Sequence, residues 1–370
     1  MRILILMANA GGGHRSISRA VQQALLRLGP PDLEVAVVDL FGPGPPSLID
    51  PVVRLYGPMI RLAPALYGGI YHLSDHRLVY DAIIPHTHIR FRKRLRQLIV
   101  EQRPAAVISA YPLYNYALLE TLKRLGNPAP TMALVTELVT VHRSWAEPGF
   151  TRWAVATQEA REALLALSVP EDRIVCPGIP VDERFGRVSR SPQEIRRELA
   201  LDPNRPTVLV VGGAEGAGRL ERLVPPLAGA CPQSQLIVVC GHNRRAREQL
   251  EELRLHAPAA VLDFVDNMPE LMHAADVVLT KGGPQTIAEC LASGRPIVVF
   301  ESLPGQEEGN AEYVARHGAG VDGRSHAQAL EAVRRLLGNP KEREAMAARA
   351  RALARPDAAE TTAGEVLAMA

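Results

Sequence analysis

Short apolar runs alternate along the whole chain with longer segments in which apolar residues recur every three or four positions. The runs have the length of buried strands, and the longer segments have the period of amphipathic helices. Strands that alternate with helices form parallel sheets, because a parallel pairing needs a crossover connection between its strands. The pattern therefore predicts an α/β protein with two Rossmann-like domains.

The apolar runs fix where strands are expected in each half of the chain. In the first half, strands are expected at residues 2–8, 33–39, 105–110, 131–136, 152–156 and 174–176. In the second half, they are expected at residues 207–211, 235–240, 261–264, 277–280 and 296–300. Each strand is followed by a segment long enough for a helix, as a parallel sheet requires.

A boundary between the two domains is expected near Gly178–Asp182, where glycine and proline interrupt the apolar period. We therefore predict an N-terminal domain over residues 1–183 and a C-terminal domain over residues 184–354. Residues 355–370 form a C-terminal tail that could pack back on the N-terminal domain.

The segment Pro51–Arg96 interrupts the regular alternation and is rich in Tyr, Leu, Ile, Pro and Arg. Apolar side chains flanked by Arg and Tyr can lie in a membrane interface, with their polar tips turned outward. The same pattern also fits helices that pack on the core of the first domain. The pattern alone leaves both alternatives open.

Most of the basic excess of the first half is concentrated at the end of this segment, although the net charge of the whole chain is only +2. The cluster consists of Arg90, Arg92, Lys93, Arg94 and Arg96. Such a run suits the surface of an anionic membrane or a polyanion. We expect anionic membrane lipids as partners, and no nucleic acid.

The apolar runs are much shorter than the ~18 to 20 residues of a membrane-spanning helix, and the N-terminus lacks the pattern of a secretory signal. We therefore expect a cytoplasmic protein bound peripherally to the inner face of the cell membrane. The widely spaced cysteines predict neither a disulfide framework nor a zinc cluster. They are Cys176, Cys231, Cys240 and Cys290.

A glycine-rich turn follows the first expected strand, where Gly11, Gly12 and Gly13 precede His14. Glycines let backbone N–H groups approach an anion closely, and the following helix N-terminus favours negative charge. His14 has a side chain whose ordinary pKa of about 6.5 suits proton transfer near neutrality. The alternative is a hydrogen-bonding residue beside a phosphate, without proton chemistry.

The second half repeats this design at Gly212–Gly218, which includes Gly213 and Gly216. A further strand, Gly-Gly turn and helix follow at Lys281–Glu289. Glu289, in the second turn of that helix, could accept both hydroxyls of a ribose while the helix N-terminus takes a pyrophosphate. We expect a nucleotide-sugar site here.

The last strong strand is followed by a loop that carries Gln306, Glu307 and Asn310. These side chains suit a hexose, because each sugar hydroxyl both donates and accepts hydrogen bonds. A merely solvated loop is the alternative. Ligands of α/β sheets bind at the carboxyl ends of strands, and this placement favours a functional loop.

With these motifs in view, the chain resembles the inverting GT-B glycosyltransferases of family 28, and among them the diacylglycerol glycosyltransferases of the monogalactosyldiacylglycerol synthase type. The resemblance extends over nearly the whole chain. It rests on Gly11–Arg15, Val135–Glu137, His142–Trp145, Gly212–Gly218, Cys240–Asn243, Phe264–Met268, Lys281–Glu289 and Pro304–Asn310.

The resemblance implies a GT-B fold, with the two parallel sheets facing across a cleft. It also implies transfer of a hexose from a UDP-sugar to diacylglycerol with inversion, which gives a β-glycosyldiacylglycerol. UDP-galactose is favoured over UDP-glucose, because the motifs are closer to those of the plant enzymes.

Roles for individual residues follow from the same resemblance. The catalytic residues would be His14 and Glu137, although the diacylglycerol enzymes usually carry Asp at the second position. The UDP-sugar would contact Gly12, Gly13, Gly213, Gly216, Phe264, Val265, Met268, Lys281, Gly282, Gly283, Pro284, Thr286, Glu289, Gln306, Glu307 and Asn310. The acceptor and membrane would contact Tyr56, Tyr67, Tyr71, Arg90, Arg92, Lys93, Arg94 and Trp145.

No cofactor and no metal are expected, because the chain has no Asp-x-Asp motif and backbone N–H groups can meet the charge of the diphosphate. Three alternatives remain open at this point. They are a UDP-N-acetylglucosamine transferase acting on a polyprenyl-linked acceptor, a UDP-sugar epimerase, and a non-catalytic peripheral membrane protein that binds nucleotide sugars. The oligomeric state is not predicted.

Overall fold

The computed structural model describes residues 1–8, 12–41, 58–60 and 62–370, without the side chains of residues 87, 88 and 90. The chain divides into two compact units. The first unit comprises Met1–Asp182, Pro304–Gln306 and Asp357–Ala370, and the second comprises Glu183–Leu303 and Glu307–Pro356. The division after Asp182 lies one residue before the boundary expected from the sequence.

The first unit is an α/β fold around one parallel sheet. Its elements are β1 (Arg2–Met7), α1 (Gly13–Leu28), β2 (Glu34–Asp39), α2 (Pro64–Asp75), α3 (Arg77–Gln102), β3 (Ala106–Ser109), α4 (Asn115–Leu125), β4 (Thr131–Leu134), β5 (Arg152–Ala154), α5 (Gln158–Ala166) and β6 (Ile174–Val175). The strand order is β2-β1-β3-β4-β5-β6. Every pairing is parallel, with Ile3 of β1 opposite Val35 on one side and Ala106 on the other.

The second unit repeats this architecture with its own sheet. Its elements are α6 (Pro192–Glu198), β7 (Thr207–Val211), α7 (Leu220–Ala230), β8 (Gln235–Val239), α8 (Arg244–Glu252), β9 (Ala259–Leu262), α9 (Met268–Ala274), β10 (Val277–Lys281), α10 (Pro284–Ala292), β11 (Ile297–Glu301), α11 (Asn310–Arg316), β12 (Gly320–Asp322), α12 (His326–Gly338) and α13 (Pro340–Leu353). The strand order is β12-β11-β10-β7-β8-β9, again all parallel.

Both sheets contain a point at which the strand order reverses direction. It lies between β1 and β3 in the first unit, and between β7 and β10 in the second. Ligands of doubly wound sheets bind beyond the carboxyl ends of the strands at this switch point. The loops that follow β1, β3, β7 and β10 are therefore the places to look for a site.

The predicted α/β class is confirmed, and each strand expected from the apolar runs is present. β9 begins at Ala259, two residues before the expected start, because its apolar run is weak. β12 was not predicted, since its three residues contain only one large apolar side chain. Strands buried on both faces give continuous apolar runs, which explains why the others were found.

The last helix, α14 (Ala358–Met369), belongs to the first unit although it follows the second in sequence. It packs against α1 through small side chains, among them Ala359 and Ala363, and through Val366, which is fully buried. An ion pair of 2.5 Å between Arg27 and Glu360 joins the same two helices. The chain thus returns to the first unit after it completes the second.

The helices α2 and α3, which include most of the segment Pro51–Arg96, have different surroundings. In α3, Phe91, Leu95 and Ile99 are buried in the first unit's core, so this half of the helix is a packed element. By contrast, large apolar side chains of α2 and the start of α3 are exposed. They include Leu66, Ile70, Leu73, Leu78 and Ile83. Among the described residues, no helix is both long enough and apolar enough to span a bilayer.

Candidate active site

Helix α1 follows β1 in the chain, at the first unit's switch point, and residues 9–11 between them lie outside the described residues. Gly12 has a φ of +79° and precedes the first helical residue, Gly13. A side chain is strained at such an angle, so the turn requires glycine. The N–H groups of the first turn of α1 have no partner within the helix and can bind an anion.

His14 lies in the first turn of α1, where its ring contacts Tyr111 edge-on with centroids 5.1 Å apart. Burial lowers the pKa of His14 to about 4, and the backbone of Ala110 partly opposes that effect. The imidazole is therefore neutral at neutral pH, and the sequence-based expectation of an ordinary pKa is wrong. Its Nδ1 is buried without a hydrogen-bond partner among the residues that the structure describes.

The second catalytic candidate, Glu137, is buried with an exposed fraction of 3%. Burial raises the pKa of Glu137 to about 8, although hydrogen bonding to the backbone of His142 lowers it in part. The N–H of His142 donates to Oε2 of Glu137 at 3.1 Å. Glu137 is therefore mainly protonated at neutral pH and supports the loop that carries His142.

That loop fastens the end of α2 to the first unit. Nε2 of His142 lies 3.2 Å from Oγ of Ser74, and its Nδ1 lies 2.7 Å from Oγ of Ser144. The backbone N–H of Arg143 donates to Oδ1 of Asp75, and its Nε donates to the Asp75 carbonyl, both at 2.6 Å. Because Arg143 bonds both the side chain and the backbone carbonyl of Asp75, the last turn of α2 is held in place.

Trp145 is placed differently from the expectation of a membrane or acceptor contact. Its side chain has no exposed area and lies in the core of the first unit. Its carbonyl accepts a hydrogen bond of 2.7 Å from Nε1 of Trp153. A fully enclosed indole cannot meet a lipid in this conformation, so we assign Trp145 a packing role.

The tyrosines of α2 also depart from the expected membrane face. The hydroxyl of Tyr67 donates to Oε1 of Gln306 at 3.0 Å, within the first unit. The ring of Tyr71 lies against Gly305 of the same loop and 4.9 Å from the ring of His142. Both side chains therefore contact protein, and the exposed face of α2 is aliphatic.

The remaining residues expected to contact the acceptor or membrane have mixed surroundings. Tyr56 and the side chain of Arg90 lie outside the described residues. Arg92 and Lys93 are exposed on α3. Nη1 of Arg94 donates to the carbonyl of Leu40 at 3.3 Å, so this guanidinium is already engaged within the unit.

In the second unit, the turn after β7 lies beside β10 at the switch point. Gly213 and Gly216 have φ angles of +73° and +59°. A Cβ at Gly216 would lie 2.0 Å from the Cys240 carbonyl oxygen, and one at Gly213 would lie 3.2 Å from Cε of Lys281. Only glycine allows this approach, so the turn presents bare backbone at the place where α/β proteins bind phosphate.

Lys281 connects this glycine turn with the loop after β11. Its Nζ is 2.6 Å from Oε1 of Glu307, whose Oε2 accepts a 2.9 Å hydrogen bond from the N–H of Leu303. The Glu307 side chain is almost completely buried. The lysine and the hydrogen bond from Leu303 together hold this carboxylate in one orientation. A residue that recognises a substrate needs such a fixed orientation.

Asn310 is fully buried, and its Nδ2 donates to the carbonyl of Gly282 at 2.8 Å. The side chain therefore ties the loop after β11 to the Gly282–Gly283 turn. Its Oδ1 is buried without a hydrogen-bond partner among the described residues, and its expected contact with a hexose stays a prediction. A Cβ at Gly282 would lie 2.4 Å from Oγ of Ser302, so this turn is also tightly packed.

Helix α10 begins after that turn with Pro284 in its first position. Glu289 is half-buried one turn later, and its Oε1 accepts a 2.9 Å hydrogen bond from Nε2 of Gln285. Thr286 is half-buried in the first turn. The carboxylate stays accessible to a ligand at this end of the helix.

The segment after β9 carries the residues expected beside the base of a nucleotide. Phe264 is 49% exposed, while Val265 and Met268 are half-buried. The ring of Phe264 stacks on that of His242, with centroids 4.7 Å apart and an angle of 1° between the planes. An exposed aromatic ring held flat is a platform on which a base can stack.

Several site residues were missed from the sequence. The motif Cys240–Asn243 contains His242 but does not indicate a role for it, and no motif includes Tyr111. The position of Tyr111 just after β3, at the switch point, was the signal for it. The pairing of Tyr67 with Gln306 had no sequence signal, because the two residues are 239 positions apart.

Comparison with known proteins agrees with this arrangement. Residues 14–181 match the family model for monogalactosyldiacylglycerol (MGDG) synthase, and residues 207–362 match that for the glycosyltransferase family 28 C-terminal domain. The chain is 31% identical over 368 residues to the chloroplastic monogalactosyldiacylglycerol synthase of Spinacia oleracea, covering 96% of this chain and 70% of the relative.

Solved structures share the fold at lower identity. MurG from Acinetobacter baumannii aligns with a TM-score of 0.62 and 17% identity over 99% of both chains. The UDP-GlcNAc 2-epimerase from Neisseria meningitidis, bound to UDP-GlcNAc, aligns with a TM-score of 0.66 and 13% identity over 100% of both chains. The fold is GT-B, and with the sequence matches it shows that the chain belongs to the monogalactosyldiacylglycerol synthase family of glycosyltransferases.

Proposed function

We propose that the protein transfers a hexose from a UDP-sugar to diacylglycerol with inversion, forming a β-glycosyldiacylglycerol. UDP-galactose is the favoured donor and UDP-glucose the next. Family membership and the name of the spinach relative support the lipid product. The structurally similar epimerase, which was solved with UDP-GlcNAc, supports a UDP-sugar as the donor.

One observation carries the proposal more than any other. At the second unit's switch point, Lys281 lies beside the bare backbone of Gly213 and holds the buried carboxylate of Glu307 at 2.6 Å. A backbone turn and a cation suit a diphosphate, and an oriented carboxylate suits sugar hydroxyls. A donor that contains both groups, a nucleoside diphosphate sugar, fits this combination.

In the proposed reaction, neutral His14 accepts the proton of the diacylglycerol hydroxyl. The hydroxyl oxygen forms a bond to the anomeric carbon as the bond from that carbon to the UDP oxygen breaks. Attack opposite the leaving group inverts an α-linked donor to a β-glycoside. His14 belongs to the first unit, and Lys281 and the glycine turn after β7 belong to the second.

The departing UDP gains negative charge, which backbone N–H groups and helix N-termini would stabilise together with Lys281 or Arg15. One well-placed donor of this kind contributes about 2.7 to 4 kcal/mol in oxyanion-hole precedents. We therefore propose that no metal ion or other cofactor is required. Protonated Glu137 would act as a positioning residue, by supporting the loop that contains His142.

We further propose that the protein binds peripherally to the inner face of the cell membrane. The exposed leucines and isoleucine of α2 would enter the interface, and the exposed Arg92 and Lys93 of α3 would meet anionic lipid. An aliphatic stripe and a basic cluster in the same unit provide the two attractions that an anionic membrane offers.

The test is a transfer assay with the purified full chain and vesicles that contain diacylglycerol and anionic phospholipid. UDP-galactose, UDP-glucose and UDP-N-acetylglucosamine are supplied separately, with and without EDTA, and NMR assigns the anomeric configuration of the glycolipid. We expect a β-galactosyl- or β-glucosyldiacylglycerol, formed at the same rate with and without EDTA. An α-product, or activity only with UDP-N-acetylglucosamine and a polyprenyl-linked acceptor, would refute the proposal, and so would failure of every donor to react.

A further inference from the structure

Helix α2 has two faces with different surroundings. Leu66, Ile70 and Leu73 follow a spacing of four and three residues, so they lie along one side of the helix. Their exposed fractions are 60%, 44% and 61%. An exposed aliphatic stripe needs a partner, and the exposed cations Arg92 and Lys93 of the same unit favour an anionic lipid surface as that partner.

The other face of α2 packs tightly on the loop Pro304–Gln306, which belongs to the same unit. A Cβ at Gly68 would lie 2.5 Å from Cβ of Pro304, so only glycine fits between helix and loop. A Cβ at Gly305 would lie 2.6 Å from the ring of Tyr71. Close backbone approach of this kind makes the position of the loop depend on the position of the helix.

Gln306 is bound to this inner face by its side chain. The Tyr67 hydroxyl donates to Oε1 of Gln306 at 3.0 Å, and Tyr67 is half-buried. A carboxamide has an acceptor end and a donor end, and the two ends are fixed relative to each other. In the structure the Tyr67 hydroxyl donates to Oε1, which leaves the NH₂ end of Gln306 to donate to a sugar oxygen.

We propose that Tyr67 is a positioning residue that orients Gln306 for the donor hexose, and that α2 thereby couples the lipid surface to donor binding. This inference rests on the proposed function, in which Gln306 contacts the hexose. Lipid on the outer face restrains the helix, and the restrained helix presents the Gln306 amide in its binding orientation. The donor and the lipid surface then strengthen each other's binding.

The polar contacts at the end of α2 support transmission through a rigid element. Asp75 is held by two hydrogen bonds from Arg143, and Ser74 contacts His142. One end of the helix is therefore fixed to the first unit, while the exposed stripe runs along most of its length, from Leu66 to Leu73. A restraint on the stripe orders the segment that carries Tyr67.

A double-mutant cycle tests the positioning role. Tyr67→Phe, Gln306→Ala and the double variant are titrated with UDP-galactose and with UDP, on vesicles of phosphatidylcholine and phosphatidylglycerol that lack diacylglycerol, so that no transfer occurs. Loss of one hydrogen bond predicts that Tyr67→Phe weakens UDP-galactose about threefold to tenfold. UDP should bind within about twofold of wild type, because it lacks the hexose that Gln306 reads.

The Gln306→Ala background decides between positioning and a general structural effect. If Tyr67 acts through Gln306, Tyr67→Phe adds no further loss to Gln306→Ala. The proposal is overturned if the fold-losses in UDP-galactose affinity of the two single variants multiply in the double variant. It is also overturned if Tyr67→Phe weakens UDP and UDP-galactose equally. Thermal unfolding of each variant shows that the comparison is made on folded protein.

The coupling between vesicle binding and UDP-galactose binding can be tested, because thermodynamic linkage makes it reciprocal. If vesicles tighten UDP-galactose binding by some factor, saturating UDP-galactose must tighten vesicle binding by the same factor. We expect this factor to exceed one in wild type and to approach one in Tyr67→Phe, whereas UDP alone leaves vesicle binding unchanged. Equal vesicle affinity of wild type with and without UDP-galactose overturns the coupling.

The two proposals fail in different ways. If the wild-type protein makes no glycolipid from any UDP-hexose, the proposed function fails, and this inference fails with it. If wild type transfers hexose normally and Tyr67→Phe matches wild type in UDP-galactose affinity and vesicle coupling, only the positioning role of Tyr67 is refuted.

Discussion

His14 combines a low pKa with a place at the amino end of a helix. Both burial and the helix N-terminus favour a neutral imidazole, which can accept a proton but holds it weakly. A bound diphosphate would add negative charge near this end of α1 and raise the pKa of His14 again. The base would then become stronger only when the donor is present.

His14→Ala should lower kcat by about 10²- to 10⁴-fold, the usual contribution of a general base. The affinity for UDP should stay near the wild-type value, because alanine removes the imidazole and keeps the backbone N–H groups that would bind a diphosphate. Initial rates and UDP titration check both parts. His256→Ala, an exposed histidine of the second unit, serves as the control. An unchanged kcat would exclude histidine as the base.

Glu137 makes the stability of the protein depend on pH. Its pKa is about 8 in the folded protein and 4.5 in the unfolded chain, so the folded state binds more protons between these values. The free energy of unfolding therefore falls as pH rises through this window, by at most about 1.4 kcal/mol per pH unit. Below pH 4.5 the carboxyl group is protonated in both states, and its contribution is fully present.

Glu137→Gln removes this titration, so the melting temperature should fall less between pH 6 and pH 9 than in wild type. Thermal unfolding at several pH values measures the difference. Glu248→Gln, which changes an exposed carboxylate on α8, should keep the wild-type pH dependence. Parallel curves for wild type and Glu137→Gln would mean that Glu137 is ionised in the folded protein.

Individual side chains were the least predictable part of the site. Glycines at Gly213 and Gly216 could be predicted, because bare backbone in a strand-to-helix turn has a local sequence signature. Trp145 and Asn310 could not be placed, since their sequence neighbours do not show whether a polar or aromatic group is buried. Burial is decided by residues distant in sequence, and so is the contact between Tyr67 and Gln306.

At the scale of elements, strands were predicted well and the inserted segment only in part. The packing alternative is confirmed for the end of α3, and the membrane alternative stays a prediction for α2. The end of α3 is buried against α4, whereas α2 exposes its aliphatic stripe. The sequence could not divide the segment, because amphipathic helices that cover a core and those that enter lipid share one pattern.

Leu66→Asp should weaken binding to anionic vesicles about tenfold or more, since it replaces a leucine whose burial in lipid is worth ~1.5 to 3 kcal/mol. Vesicle sedimentation measures the bound fraction. The matched control is Leu253→Asp, which changes a leucine of similar exposure at the end of α8. Equal vesicle binding of Leu66→Asp and wild type would show that α2 does not enter the membrane.

At the scale of the whole molecule, the second unit is inserted into the first. The two-domain α/β plan was predictable, because repeated glycine turns after repeated strands mark two nucleotide-type sheets. The assignment of Pro304–Gln306 to the first unit was not predictable. This short segment follows a strand of the second unit, and only packing on α2 reveals where it belongs.

Val366→Asp should destabilise the first unit by several kcal/mol, because it buries a charge between α14 and α1. Calorimetry should show an early transition, while UDP binding by the second unit persists at moderate temperature. Ala368→Asp, an exposed position of the same helix, is the control. A single unchanged transition would mean that α14 contributes little to the first unit.

The return of α14 to α1 has a consequence for how the nascent chain folds. The ribosome releases α1 early, yet the helix that covers it emerges only after all strands of the second unit have been made. The uncovered side of α1 must stay exposed for most of synthesis, and chaperones could bind it during that time. Synthesis of α14 would then complete the first unit after the strands of the second unit have been made.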